Sequence, residues 1–387
     1  MEHCLTELQQ TVKQMARTIT EEKIMPVRAE LDEKEQFPRD IIQNLADTDL
    51  LGVYIPVEYG GLGGGCLEFC LVTEELSRGC AGVAVSYAVN ALGSFTMLEY
   101  GNQQQKEKYM PDIASGRKLT AFALTEESAG SDASGIKTTA TRCNGGYTLN
   151  GSKQFITSGG EAEFYTIIAL TDKERGIRGA SAFIVEKDIP GFTFGRKEKK
   201  MGIRASTTRE LIFEDCFIPE ENLIGREGSG FPMVMRLFDR SRPGIGAQAV
   251  GLAQGALEVA VEHAKQRCQF NQPIISFQAV GHMLANMATD IEAARALVYA
   301  AARTVDSGAK SFSKESAMAK VFASDMAMRV TTDAIQVLGG VGYMRDYPAE
   351  KMMRDAKITQ IYEGTNQILR DVITSALRKK NNSNGMS

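Results

Sequence analysis

Along the first 118 residues apolar side chains recur at intervals of three and four: Leu5, Leu8, Val12, Met15 and Ala16, then Ile41, Ile42, Leu45 and Ala46. That spacing lines one face of an α-helix and predicts a helical N-terminal region. Phe37-Pro38 separates the two groups, and helical texture resumes over 71–94 and again near 103–109. Between them Glu58-Tyr59-Gly60-Gly61-Leu62-Gly63-Gly64-Gly65 carries too many glycines for a helix and reads as a loop. It is not a dinucleotide fingerprint, because Cys66 stands where the third glycine would fall.

From about residue 119 the period shortens to that of a strand. Segments 138–142 and 147–150 flank Asn144-Gly145-Gly146, a strong hairpin signal, and Asn150-Gly151 reads as a second turn of the same kind. Phe164–Leu170, Ala180–Glu186 and 210–213 continue as strands rich in β-branched and aromatic residues. No helical pattern interrupts them, so an antiparallel sheet or barrel is expected rather than a parallel α/β sheet. After a glycine-rich linker at 225–230 come long amphipathic segments over 231–266, 276–306 and 313–339, then a helix behind Glu363, which together suggest a four-helix bundle. The expected architecture is α+β and multidomain: a helical domain over 1–118, a β-barrel domain over 119–226 and a helical bundle over 227–387.

Composition narrows the partners. Hydrophobic residues make up 43% of 387 and the net charge is −4, so a sizeable core is available and no basic surface invites nucleic acid. The N-terminus lacks the basic and apolar regions of a signal peptide, and no apolar run approaches a bilayer span, so the cytoplasm is the expected compartment. Seven cysteines (Cys4, Cys66, Cys70, Cys80, Cys143, Cys216 and Cys268) contain no Cys-x-x-Cys pair, which argues against a zinc site or a disulfide framework. With only His3, His263 and His282, metal-independent chemistry is favoured.

Against that background Ile361-Tyr362-Glu363-Gly364-Thr365-Asn366-Gln367-Ile368 stands out. Gly364 allows an abrupt turn, Thr365 or Asn366 can cap the helix that follows, and Ile368, Leu369, Val372, Ile373, Ala376 and Leu377 form its apolar stripe. An acid on such a corner, flanked by Ile361 and Tyr362, suits a general base whose pKa desolvation raises toward neutrality. A helix-entrance Glu stabilised by the macrodipole fits the same stretch equally well. Elsewhere, Leu124-Thr125-Glu126-Glu127-Ser128-Ala129-Gly130-Ser131-Asp132 is a hydroxyl-rich loop that an acceptor-rich ligand could approach. In Phe155-Ile156-Thr157 a ring and a hydroxyl could face a planar cofactor, though a core Phe beside a glycine turn is the commoner case. Phe238-Asp239-Arg240-Ser241-Arg242-Pro243 puts charges inside an apolar helical pattern; Arg267-Cys268-Gln269-Phe270 ends one long helix, Phe277-Gln278 begins the next, and Gln336-Val337-Leu338-Gly339-Gly340 ends a third.

Taken together these stretches resemble the acyl-CoA dehydrogenase family of flavoproteins over residues 5–379. The resemblance rests on Thr125-Glu126-x-x-Ala129-Gly130-Ser131-Asp132, Asn150-Gly151-Ser152-Lys153-x-Phe155-Ile156-Thr157, Arg267-x-x-Phe270, Gln336-x-Leu338-Gly339-Gly340 and Ile361-Tyr362-Glu363-Gly364-Thr365. The texture is that of the short- and medium-chain, butyryl-CoA dehydrogenase-like enzymes. The resemblance implies FAD held between the β domain and the bundle, usually in a homotetramer. It implies Glu363 as the base that removes the α-proton of an acyl-CoA thioester, with hydride passing to the flavin and electrons to an electron-transferring flavoprotein. The backbone N–H of Glu363 would hold the thioester carbonyl. Leu124, Thr125, Phe155 and Thr157 would lie on the flavin. Ser131, Asp239, Ser241, Arg242 and Gly364 would meet substrate, Ser131 also touching the cofactor. Arg267, Phe270, Phe277, Gln278, Gln336, Gly339 and Gly340 would reach the FAD of a neighbouring subunit, with Thr365 and Gln367 completing the site.

Two residues depart from the family pattern: Asn271 stands where glycine is usual after Arg-x-x-Phe, and Glu127 replaces a frequent proline. Alternatives remain open at this point. The same residues serve an enoyl-CoA reductase running in reverse within an electron-bifurcating complex, or a flavin oxidase or monooxygenase. A non-catalytic acyl-CoA-binding scaffold belongs to another class and predicts a colourless protein. The acyl tail is expected among helices near Tyr87–Leu98 and the residues before Glu363, but acyl chain length and type are not written in the motifs.

Overall fold

The computed structural model describes residues 5–383, with side chains through residue 378; His3, Cys4 and the end of the polar tail lie outside the described residues. Helices α1 (Glu7–Ile19), α2 (Arg28–Glu33), α3 (Arg39–Asp47), α4 (Cys66–Gly79), α5 (Ala81–Tyr100) and α6 (Gln103–Ala114) come first. Thr6 with Gln9, and Asn102 with Gln105, form reciprocal caps at the starts of α1 and α6, satisfying N–H groups that open a helix without partners. The continuous apolar texture over 71–94 is broken at Cys80, whose backbone is extended, so α4 and α5 are separate helices.

Strands β1 (Thr120–Ala123), β2 (Thr139–Cys143), β3 (Gly146–Thr157), β4 (Phe164–Leu170), β5 (Ala180–Glu186), β6 (Phe192–Lys197), β7 (Thr208–Pro219) and β8 (Leu223–Ile224) follow. They make one sheet in the order β6-β7-β3-β2-β4-β5-β8, with β1 added to β4. The Asn144-Gly145 turn joins β2 to β3 as the sequence predicts, Cys143 facing Gly146. Two expectations need correction. Asn150-Gly151 is not a turn: β3 runs straight through it, and the register against β7 shifts between Leu149 and Gly151. The glycine is needed instead for close approach, since a Cβ there would stand 2.8 Å from the Thr138 backbone, at a φ of 134°. The sheet is also not purely antiparallel. β1 runs parallel to β4, with Thr120 opposite Phe164, and β2 meets β4 in parallel at Thr139 and Leu170. The β2–β3 hairpin lies between β1 and β4 in the chain and supplies the crossover a parallel pair requires.

The C-terminal part holds α7 (Gly230–Gln266), the two-stranded hairpin β9 (Cys268–Gln269) and β10 (Gln272–Pro273), α8 (Gln278–Asp306), α9 (Ser313–Leu338), α10 (Ala349–Thr359) and α11 (Asn366–Ser383). It has one helix more than the four expected. α10 escaped the apolar period because it buries Lys351 and Asp355 beside Met352 and Ala356. That buried pair is closed at 2.5 Å, and the other Asp355 oxygen accepts the Ile203 N–H at 2.5 Å. Arg267 to Phe270 do not end a helix, as the sequence suggested; α7 stops at Gln266 and these residues begin the hairpin.

Helix α7 is the centre of the molecule, packed against α4, α5, α8, α9 and α10, while α5 also lies on β1 and β4 and so joins the helices to the sheet. Both α5 and α7 are long and apolar enough, by length and composition, to cross a bilayer, which corrects the expectation that no run approaches that length. Each is instead a core helix, with 89% and 78% of its apolar window buried within the protein.

Candidate active site

Glu363 sits where the chain leaves α10 and turns into α11. Its φ of 51° and the Gly364 φ of 97° place two consecutive residues in the left-handed region. A non-glycine residue held there is strained, and such strain collects at functional corners. The corner is tied on both sides: the Tyr362 N–H reaches the Ile358 carbonyl at 3.1 Å, and the Asn366 N–H reaches the Gln360 carbonyl at 3.0 Å. Thr365 caps α11, its hydroxyl accepting the Ile368 N–H at 3.3 Å. Asn366 does different work: its side-chain amide donates to Asp325 on α9 at 2.8 Å. Asp325 also accepts Gln360 at 2.6 Å and Arg370 at 2.7 Å, so one α9 carboxylate holds both flanks of the turn.

The Glu363 carboxylate accepts the Ser241 hydroxyl at 2.5 Å. From the next position on α7, the Arg242 guanidinium donates to the Glu363 carbonyl at 3.2 Å and to Asp239 at 2.7 Å. Asp239 in turn accepts the Ser313 hydroxyl. The charges that looked misplaced in an apolar helix are therefore a buried set that anchors the corner. Pro243 lies just beyond them and lacks the N–H that would continue the helix ladder at this point. Burial pushes the Glu363 carboxyl above the usual carboxylate range, partly offset by the Ser241 hydrogen bond and by the charges of Arg242 and Lys320. A carboxyl whose pKa is raised is, once ionised, a stronger base than an ordinary surface carboxylate.

The carboxylate opens into a cleft of ≈ 140 Å³ between sheet and bundle. On the sheet side stand Leu124, Thr125, Phe155, Ile156 and Thr157; on the helical side stand Val85, Ala88, Val89, Leu92, Phe238, Ile245 and Tyr362, with Phe122 between. Phe155 has φ 59° at a second register shift of β3, between Lys153 and Ile156, and its ring is 59% exposed. A bulge that turns an aromatic ring out of the sheet toward a cleft is how a strand re-aims a side chain at a ligand. Flat apolar walls edged by the Thr125 and Thr157 hydroxyls fit a planar heteroaromatic ring such as a flavin. The Leu124–Thr125 wall is fixed from behind. Buried Lys153 donates to the Leu124 carbonyl at 3.0 Å and to Glu126 at 2.7 Å, and the Gln154 N–H reaches the Thr125 carbonyl at 2.8 Å. Burial lowers the Lys153 ammonium to about 8 despite the Glu126 charge.

Not every residue singled out from the sequence joins this cleft. Ser131 lies on an exposed loop beside Asp132, whose carboxylate accepts the Ser134 N–H, and is not part of the lining. Arg267, Phe270 and Gln278 are exposed, Phe277 is half-buried, and Gln336, Gly339 and Gly340 form an exposed end of α9. Phe270, 88% exposed, meets Phe277 edge-on at 6.0 Å. Gln367 points outward from the first turn of α11. Phe270 and Asn271 form the two-residue turn of the hairpin, with φ of 50° and 65°. Two left-handed residues in a row are what a tight hairpin turn demands, and Asn tolerates that region better than most. Asn271 thus keeps the turn without glycine. The sequence did not disclose Lys320, the side chain of Asn366 or Asp325 as parts of the site, and it gave Lys153 no role of its own within the Asn150-to-Thr157 stretch, whereas the Val85-to-Leu92 wall overlaps the Tyr87–Leu98 region expected to line the acyl tail. The available signal for Lys320 was a lysine at an otherwise small, apolar position of α9, next to Ala319 and three residues before Ala323.

Comparison with known proteins agrees with this geometry. Family models of the acyl-CoA dehydrogenase N-terminal, middle and C-terminal domains match residues 6–117, 121–216 and 228–377. A short-chain-specific acyl-CoA dehydrogenase of Megasphaera elsdenii is 47% identical over 382 residues, covering 97% of this chain and all of that protein. A chain solved in work on the electron-transferring flavoprotein of Acidaminococcus fermentans and flavin-based electron bifurcation superposes with a TM-score of 0.95 at 49% identity, covering 97% of this chain and 99% of its own. An acyl-CoA dehydrogenase of Bacillus anthracis, solved with FAD, gives a TM-score of 0.93 at 34% identity, covering 99% of this chain and 68% of its own. The chain belongs to the acyl-CoA dehydrogenase family of FAD-dependent oxidoreductases.

Proposed function

We propose that this protein oxidises an acyl-CoA thioester to the trans-2-enoyl-CoA with Glu363 as the base, and that its electrons leave to an electron-transferring flavoprotein. The single observation that carries the reading is the Glu363 corner. It is a carboxylate of raised pKa, on a strained and fully tied turn, facing a cleft with apolar walls. The α-proton of a thioester is weakly acidic, so the base must lie close to carbon-2 and be ionised before it can accept that proton. Ser241 steers the carboxylate, while Arg242 fixes the peptide that carries it. The backbone N–H of Glu363 holds the thioester carbonyl and stabilises the negative charge that gathers there as the proton leaves. FAD, held against Leu124, Thr125, Phe155 and Thr157, supplies the acceptor for the β-hydride. Arg267, Phe270, Phe277, Gln278, Gln336, Gly339 and Gly340 serve the FAD of a neighbouring copy of the chain in a homotetramer; their exposure in one chain supports this. Val85, Ala88, Val89 and Leu92 give the acyl chain an apolar wall, and among the described residues the cleft lining holds no basic side chain, which favours a plain hydrocarbon tail over a dicarboxylic one.

Glu363→Gln tests the base. The variant keeps FAD and stays yellow, yet anaerobic acyl-CoA bleaches its flavin about 10²–10⁴-fold more slowly. Bleaching at the wild-type rate would remove Glu363 from the reaction. A second reading, reduction of an enoyl-CoA within a bifurcating complex, is favoured by the Acidaminococcus likeness. NADH-driven reduction of enoyl-CoA under anaerobic conditions, dependent on an added electron-transferring flavoprotein, separates the two directions.

A further inference from the structure

We infer that Lys320 is a positioning residue for the proposed base: from behind the Glu363 turn its ammonium both holds the turn's backbone and sets the charge that Glu363 feels. The inference rests on the reading of Glu363 as the base. Lys320 is 0% exposed, and its Nζ donates to the Gly364 carbonyl at 2.8 Å and to the Asn366 side-chain carbonyl at 2.9 Å. Both acceptors are neutral, an unusual set for a buried cation, which is ordinarily paired. The Gly364 carbonyl belongs to the peptide between Gly364 and Thr365, so this bond fixes the turn one residue beyond Glu363, whose own carbonyl Arg242 holds.

The charges around the turn show what this ammonium answers to. On α7 Arg242 is paired with Asp239; on α9 Asp325 is paired with Arg370 of α11; on α10 Lys351 is paired with Asp355. Among the described residues Glu363, whose carboxylate bonds the neutral Ser241 hydroxyl, and Lys320 stand outside those three pairs, as does the Tyr362 hydroxyl, which donates to Gln248 and stays neutral because burial and the Glu363 charge both raise its pKa. Lys320 and Glu363 act on one another: Lys320 draws the Glu363 carboxyl down, and Glu363 draws the Lys320 ammonium up against the burial that lowers it to about 7. Arg242 works against Lys320 and with it on Glu363. A lysine placed there only to fill space or cap a carbonyl would leave the ionisation of Glu363 untouched.

The test reads ionisation as well as rate. Lys320→Gln keeps a donor for the Gly364 carbonyl but removes the charge, and Lys320→Met removes both. In the FAD-loaded protein both variants move the acid limb of flavin reduction up by about one pH unit, as loss of a nearby buried charge requires. The carboxyl band of Glu363, isolated by infrared difference against Glu363→Gln, titrates with the same displacement in protein free of substrate. Coupling is reciprocal, so a third measurement needs no Lys320 variant: NMR of ¹⁵N-labelled lysine side chains finds the Lys320 midpoint lower in Glu363→Gln than in wild type. A rate loss with an unmoved pH limb and an unmoved infrared midpoint would overturn the proposal and leave Lys320 a structural prop. An unshifted Lys320 midpoint in Glu363→Gln would overturn it as well. Wild-type flavin reduction by Glu363→Gln is a different failure, that of the base assignment itself.

Discussion

The Glu363 corner and the Phe270 hairpin are both built on consecutive left-handed residues, yet the chain treats them in opposite ways. At Glu363 and Gly364 the turn and its flanks are held from three helices: α7 through Ser241 and Arg242, α9 through Lys320 and Asp325, α11 through Asn366 and Arg370. At Phe270 and Asn271 the turn stands out from the bundle, its aromatic ring uncovered and met at an edge by Phe277. The first site is finished within one chain. The second has the residue types of a binding surface and the exposure of one that awaits what it binds. The difference teaches that strain alone does not mark a catalytic position; strain enclosed by hydrogen bonds marks a group that must not move, and strain on an exposed hairpin presents a side chain outward.

The comparison can be broken at its strongest point by Glu363→Gln, for which the loss of flavin reduction is expected to be the largest, about 10²–10⁴-fold with FAD retained. Next comes the wall opposite. Lys153→Met takes the cation from the buried Glu126 carboxylate and leaves it to the Lys137 and Thr138 N–H groups, and breaking a buried pair costs about 3–5 kcal/mol of unfolding free energy, measurable by urea denaturation of the FAD-loaded protein. A loss near zero would mean that the Leu124–Thr125 wall does not depend on that pair. A smaller effect belongs to the exposed side. Phe270→Ala weakens FAD retention about tenfold, read by flavin release on dilution, while flavin reduction by substrate at saturating FAD stays within about twofold of wild type. Were the Phe270 variant instead to lose reduction with its FAD still bound, the two regions would not be separable. The smallest effects test the turn itself. Asn271→Gly changes stability by less than about 0.5 kcal/mol, whereas Asn271→Val loses about 1–2 kcal/mol because a branched side chain resists positive φ. Thermal unfolding of the three proteins side by side decides it.

Much of the fold was legible because it follows from period. The helical beginning, Phe164–Leu170 and Ala180–Glu186 as strands, the Asn144-Gly145 hairpin and the three long C-terminal helices all obey local rules that neighbouring residues can state. Helix α10 was not legible, since its buried face carries a lysine and an aspartate that are tolerable only once paired inside the protein. The Asn150-Gly151 pair has the composition of a turn, but the strand beside it, β7, holds it in a continuous ladder with a bulge. Parallel addition of β1 to β4 joins segments more than forty residues apart, a pairing no local pattern expresses.

The sequence by itself determined that Glu363 stands at the entrance of a helix behind a glycine, that Phe155 and Thr157 lie two positions apart beside a glycine turn, and that charges interrupt the apolar run of α7. Those are properties of near neighbours, set by backbone freedom and hydrophobic period. Only the tertiary structure decided that the carboxylate and the strand face one cleft and that the charges of α7 anchor the turn behind it. That arrangement depends on α5 and α7 being buried between sheet and bundle, and on lysines 153 and 320 being forced to find carbonyl partners away from water. Burial converts an ordinary glutamate into one of raised pKa, and burial is a property of the packed whole.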